Sequence, residues 1–185
     1  MTDLDRAGNL LGALSLAVAD RTAEAVGEAA GQSQSAAIAL SALHHFLGEP
    51  SLDRLRRVLG LTPSGAVRLV DRLQRAGYVD RRPSANDARS VSVHLTASGR
   101  RVAERVSKAR AEVLESALGA LSAAERAQFE ELLARVIPSQ IRGPGATRWM
   151  CRLCDMDACG RDSGRCPAAN AARARWGSSR TGAAK

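Results

Sequence analysis

The chain's four cysteines fall within 16 residues, as Cys151-x2-Cys154-x4-Cys159-x6-Cys166. Gly160 and Gly164 sit where tight turns would fold the thiols toward one another. Four thiolates match the tetrahedral, soft-ligand preference of Zn²⁺, and ligation can by itself fold so small a segment. A structural zinc site is therefore the first expectation, with Cys151, Cys154, Cys159 and Cys166 as ligands. An iron–sulfur cluster, a thiol redox switch and free thiols in a flexible tail are the alternatives that the same spacing permits. Structural disulfides fit poorly with such density in a reducing compartment. A catalytic dithiol would need its C-x-x-C at the start of a helix in a βαβ setting, and no such setting surrounds these cysteines.

A second constellation is cationic. Residues 51–90 hold nine Arg against four Asp, whereas residues 1–50 carry a net charge of −4. The segment after residue 141 is again basic, and the whole chain stands at +8. Positive charge concentrated in two segments points to a polyanionic partner. Within Pro63–Gly77, Ala66, Leu69, Val70 and Leu73 recur at core spacing. Ser64, Arg68, Arg72 and Arg75 lie three or four residues apart on the other face. Arg68 can reach a guanine edge or a phosphate; Arg72 and Arg75 suit phosphates. Further on, Arg81, Arg82 and Arg89 flank a turn-rich stretch in which Asp87 can orient Arg89 by a charge-assisted hydrogen bond. An Arg so placed can enter a narrow minor groove.

The elements that must position these residues follow from caps and periodicity. Residues 7–30 read as a long helix with Leu10, Leu11, Leu14, Val18, Ala25 and Val26 as its apolar stripe, and residues 35–47 as a second helix stopped by Gly48 and Pro50. Ser51 caps a short helix that Gly60 ends. Thr62 followed by Pro63 starts the next, since proline supplies a helical φ and needs no donor there. Gly77 supplies its left-handed stop. Two short helices about three residues apart form a helix-turn-helix pattern. Tyr78-Val79 and Val91–Leu95 then read as strands of a hairpin whose polar tip runs from Arg82 to Ser90, a wing. Thr96 caps a helix to about Leu118. Ser122 and Glu125 form a capping box for another, which Pro138 ends.

These elements resemble the MarR family of bacterial transcriptional regulators, over about Ala7 to Ile137. The likeness is sharpest in "LDRLRRVLGLTPSGAVRLVDRLQRAGYVDRR" and in "NDARSVSVHLTASGR", where Asp87-x-Arg89 and the Leu-Thr…Gly-Arg step match the family's wing. The resemblance implies a mainly α fold: a winged helix-turn-helix with a two-stranded β wing and a helical dimerisation domain. It implies a homodimer on a pseudo-palindromic operator in double-stranded DNA, one recognition helix per half-site. It also implies an effector, often a small aromatic molecule, bound between the dimerisation and DNA-binding regions. His44 and His45 lie on the helix leading into that crevice and are the candidate ligand contacts. The cysteine segment lies outside the resemblance.

The expected organisation is a winged-helix domain over residues 1–141, with its reading unit at 51–95. A linker at 142–146, a four-cysteine knot at 147–170 and a disordered basic tail at 171–185 follow. Trp149 and Met150 are placed to dock the knot onto the helical body. No Ser/His/Asp set, Gly-rich phosphate loop or carboxylate pair is evident, so no enzyme is expected. Without a basic, apolar leader or a run of ~20 apolar residues, the expected location is the cytoplasm, with no membrane partner. The expected function is sequence-specific transcriptional regulation, as a repressor. A thiol redox or metal-handling protein and a non-specific architectural DNA-binding protein are the competing readings.

Overall fold

The computed structural model describes residues 5–84 and 87–177; of residues 87–90 it describes the backbone alone. Helix α1 (Arg6–Ala30) is capped by Asp5 and closed by Gly31. Helix α2 (Gln34–Ala42) widens into a π turn at Leu43–Leu47, so the second expected helix changes its hydrogen-bonding pitch where it carries the two adjacent histidines. Helices α3 (Leu52–Leu59) and α4 (Pro63–Arg75) follow, each capped by the side chain foreseen for it. Ser51 accepts from Arg54 N–H and Thr62 from Gly65 N–H. Strands β1 (Val79–Ser84) and β2 (Asp87–Leu95) pair antiparallel.

The wing differs from its sequence reading in length. Pairing does not stop at Arg82 but runs through Pro83 opposite Val91 and Ser84 opposite Asp87, with a register shift between Pro83 and Ser84. Proline donates no ladder bond, and a bulge next to it is where a two-stranded sheet tolerates that loss. At the base, Val93 N–H donates to the Pro50 carbonyl (3.0 Å), and Ser51 bridges Ser92, so the segment before α3 is sewn onto the wing.

The core joins α2, the inner faces of α3 and α4, the wing base and α5 (Ala97–Leu118). Leu40, Leu55, Val58, Leu73, Val79, Val93 and Val106 are among its fully buried members. Gly99, in the first turn of α5, is where wing and helix meet. A Cβ there would stand 1.9 Å from the Tyr78 carbonyl oxygen, so only glycine permits the approach. Thr96 caps α5 while its hydroxyl donates to the Gly77 carbonyl at 2.7 Å, tying the helix to the turn after α4.

Helix α6 (Ala123–Val136) begins with the Ser122–Glu125 capping box but buries none of its residues. In α1 only Val26 and Ala30 are buried; of the expected stripe, Leu10, Leu11 and Leu14 are exposed. Val26 reaches the core, whereas Leu10, Leu11 and Leu14 keep the right periodicity yet stay uncovered among the described residues.

After a 3₁₀ turn (Ile137–Gln140) come α7 (Ala146–Met150), α8 (Met156–Cys159) and α9 (Pro167–Trp176). They surround a second small core of Ile141, Cys151, Cys166, Ala168 and Ala169. The tail expected to be disordered from residue 171 is helical over residues 171–176, and residues 178–185 lie outside the described residues. Cys166 caps α9, Pro167 opens it, and Arg175 donates to the Ile141 carbonyl at 2.8 Å. No helix among the described residues is long and apolar enough to cross a membrane.

Candidate nucleic-acid interface

Helix α4 divides its faces as its periodicity requires. Ala66, Leu69, Val70 and Leu73 are buried, while Ser64, Val67, Arg68, Arg72 and Arg75 are exposed. Thr62 and Pro63 hold the N-terminus open to solvent, and Ser64 lies beside the cap hydroxyl at 3.4 Å. Arg72 Nη1 reaches the Ser33 hydroxyl (3.4 Å) and Arg75 Nε the Asp71 carbonyl (3.3 Å), both exposed contacts that a phosphate can replace.

Arg81 behaves differently from its neighbours. Its Nη2 donates to Asp71 Oδ1 at 2.6 Å and its Nη1 to Gln74 Oε1 at 3.0 Å. Both acceptors lie on α4, so Arg81 fixes the wing to the helix rather than pointing outward. Sequence spacing alone groups it with the outward bases. Asp71 and Gln74, the residues that hold it, were missed because their role exists only once wing and helix are folded together. Arg82 is exposed and lies 3.6 Å from Asp80. The side chains of Asp87 and Arg89, the expected minor-groove pair, lie outside the described residues.

On α3, Asp53 faces both Arg56 (2.7 Å) and Arg57 (2.8 Å). The Arg56 hydrogen bond and then the nearby charges hold its carboxyl below the usual range.

Behind this face lies a cleft of about 490 Å³ between the π turn, the wing base and the start of α5. His44, Glu49, Asp80, Arg82, His94 and Arg100 line it. His94 bridges Glu49 Oε1 (2.9 Å) and the Ser92 hydroxyl (2.7 Å), a pairing that the sequence pattern did not single out. The two candidate histidines separate: His44 faces the cleft, whereas His45 turns away to the Ser107 hydroxyl at 2.7 Å on α5. Burial, then the neighbouring His44, lowers the His45 pKa below its ordinary value.

The four thiols are reduced and gathered. Cys151 and Cys154 influence each other's ionisation side chain to side chain, as do Cys159 and Cys166. The interaction with Cys151 pulls the Cys154 thiol down to about 6, helped by Arg110 and Arg161, and correspondingly pushes Cys151 up. Burial, then the contact with Cys166, pushes Cys159 up to about 12. Among the described residues no three ligand-type side chains already converge on one metal-binding point.

Comparison with known proteins bears on the winged helix. Residues 30–90 match the family model described as MarR family. Over that stretch the chain is similar to the MarR family. It is 36% identical over 85 residues to the multiple antibiotic resistance protein MarR of Escherichia coli (strain K12), covering 45% of this chain and 59% of that protein. The structure of a MarR family protein from Bacillus stearothermophilus superposes with a TM-score of 0.62 at 25% identity, over 72% of this chain and 92% of that one. A Staphylococcus aureus MepR mutant bound to an oligodeoxyribonucleotide shares the fold, with a TM-score of 0.55 at 20% identity over 73% of this chain and 98% of that one. The chain spans under two thirds of the length of the curated MarR relative. In the family-model match, the MarR-type region ends well before the cysteine segment.

Proposed function

We propose that this chain is a MarR-type transcriptional regulator that binds a pseudo-palindromic operator as a homodimer and represses the genes it controls. The observation that carries the reading is the exposed row Ser64, Val67, Arg68, Arg72 and Arg75 on α4, beside a wing that Arg81 locks to the same helix. The row offers base-edge and phosphate contacts on one face, and the lock keeps helix and wing in one orientation on the duplex. The MepR mutant bound to an oligodeoxyribonucleotide supports nucleic acid as the partner of this fold.

The homodimer draws its support from the apolar, unburied faces of α1 and α6. Small-molecule control draws its support from the His44 cleft, whose walls come from both the reading unit and α5, so an occupant would bias their spacing. His44, His94 and Arg100 suit a small aromatic acid there: a planar ring beside imidazoles, with a carboxylate near the guanidinium.

The test is selection of duplex from a genomic library by the purified full-length protein, followed by titration of the recovered fragment. A recovered site should carry two half-sites about one helical turn apart and bind at least ~10³-fold more tightly than random duplex. Arg68→Ala should weaken it by about 1–3 kcal/mol with the dimer intact. Equal affinity for selected and random DNA would favour an architectural protein and overturn the regulator.

A further inference from the structure

The cysteine segment lies against the reading unit. Trp149, from α7, packs on Gly60, the residue that ends α3 and begins the turn to α4. A Cβ at Gly60 would stand 3.1 Å from the indole ring, and Gly60 also takes a left-handed φ of 65°. Arg152 stacks on that indole, 3.7 Å from the ring centroid, and donates to the Trp149 carbonyl at 2.7 Å. A second cleft, about 200 Å³, runs between the segment and the helix-turn-helix, with Cys151, Met156 and Arg161 on one side and Phe46, Arg54 and Val58 on the other.

Within the segment, the thiols replace a hydrophobic core. The buried centre holds Ile141, two alanines, and Cys151 and Cys166, whose exposures are 6% and 2%. So few apolar groups bury too little surface to order about 40 residues, and natural domains this small rely on metals or disulfides. The turns are already made. Gly160 and Gly164 adopt left-handed φ, Arg165 N–H closes onto the Gly160 carbonyl at 2.8 Å, and Cys166 Sγ accepts the Ala169 N–H at 3.4 Å. All four cysteines belong to one cluster, with Cys154 and Cys159 packed against the core that holds Cys151 and Cys166. Arg161 lines the same cleft as Cys151 and can balance part of the negative charge of a tetrathiolate centre.

We propose that Cys151, Cys154, Cys159 and Cys166 ligate one Zn²⁺, and that filling this site tightens the Trp149 contact with the α3–α4 turn and so changes DNA affinity. In this structure the four cysteines share one small core without yet converging on one metal-binding point. Ligation draws the four thiols together, each ligating thiol releasing its proton to solvent, and shifts α7 against Gly60. The metal site stands independently; its effect on DNA rests on the regulator reading above.

The experiment uses the full, reduced, metal-free chain with Co²⁺ and Zn²⁺ as probes. One equivalent of Co²⁺ should give the visible and near-ultraviolet bands of tetrahedral tetrathiolate ligation. One equivalent of Zn²⁺ should bleach those bands and shield all four thiols from an aromatic disulfide reagent. Cys154→Ser with Cys166→Ser should abolish both. Titration of the selected duplex should show a tenfold or greater change in affinity on adding one equivalent of Zn²⁺, shrinking below twofold in Trp149→Ala, which keeps the cobalt spectrum. Thiols that stay fully reactive with Zn²⁺ present, or a protein purified with an iron–sulfur chromophore, overturn the zinc site. Zinc bound with equal DNA affinity in both states overturns the coupling alone. Normal zinc ligation with no preference for any duplex refutes the regulator and leaves the metal site standing.

Discussion

Single atoms decide more here than residue class suggests. Gly99→Ala adds one methyl group, yet it meets a backbone carbonyl that no rotamer change can move. Overpacking of this kind costs about 1–3 kcal/mol or more, and the joint between wing and α5 must open to relieve it. Thermal unfolding should show Tm lowered by several degrees; an unchanged midpoint would mean that the approach of Tyr78 is not maintained in solution. His45 illustrates a titration effect. Its surroundings are His44 on its own turn, Ser107 and Arg110 on α5, and Asp155 and Asp157 on the cysteine segment. Burial dominates and lowers its folded pKa below the ordinary 6.5. The unfolded chain therefore binds a proton first as pH falls, so stability declines below about pH 6.5 and levels off beneath the folded value. His45→Gln should flatten that limb of a denaturant-midpoint profile between pH 7 and 5, and a limb of undiminished slope would assign it to other groups.

At the scale of elements, α4 depends on its first turn. Thr62 accepts the Gly65 N–H, and Pro63 presets the helix, at the end presented to solvent. Thr62→Ala should cost about 1 kcal/mol, or about 2–4 °C in Tm for a chain of this size. Hydrogen exchange should quicken first in residues 63–67; exchange that quickens uniformly would show that the cap acts on global stability rather than on local fraying. Caps of this sort were legible beforehand: Ser51, Thr62, Thr96 and Ser122 each serve as read, because capping depends on neighbours within three residues. The wing was less legible. Its strands extend beyond Arg82 because cross-strand pairing, not alternation of residue type, carries Pro83 and Ser84. Likewise α9 reaches Trp176 through a long-range bond from Arg175 to Ile141, which no local pattern announces.

For the whole molecule, the outstanding feature is apolar surface left uncovered among the described residues. On α6, Leu132, Leu133 and Val136 are 54%, 37% and 45% exposed, and the N-terminal half of α1 adds Leu10, Leu11 and Leu14. A 14-residue helix with nothing buried has little to hold it in water, and the proposed homodimer would supply the missing cover. Sedimentation should therefore give a dimer. Leu14→Asp combined with Leu133→Asp should raise the dissociation constant by at least tenfold and, with it, weaken operator binding. A double variant that remains dimeric at submicromolar concentration would place the interface elsewhere.

Local sequence by itself determined the caps, the buried side of α4, the order helix, turn, helix, wing, and the clustering of cysteines and arginines. Each of these depends on spacings of a few residues, over which backbone geometry is nearly constant. Tertiary structure alone decided which of two adjacent histidines faces the cleft, that Arg81 braces α4, and that Trp149 rests on Gly60. Those outcomes depend on residues 7 to 89 positions apart meeting in a particular orientation, and the relative pose of packed elements is set by the core between them rather than by any short stretch of chain.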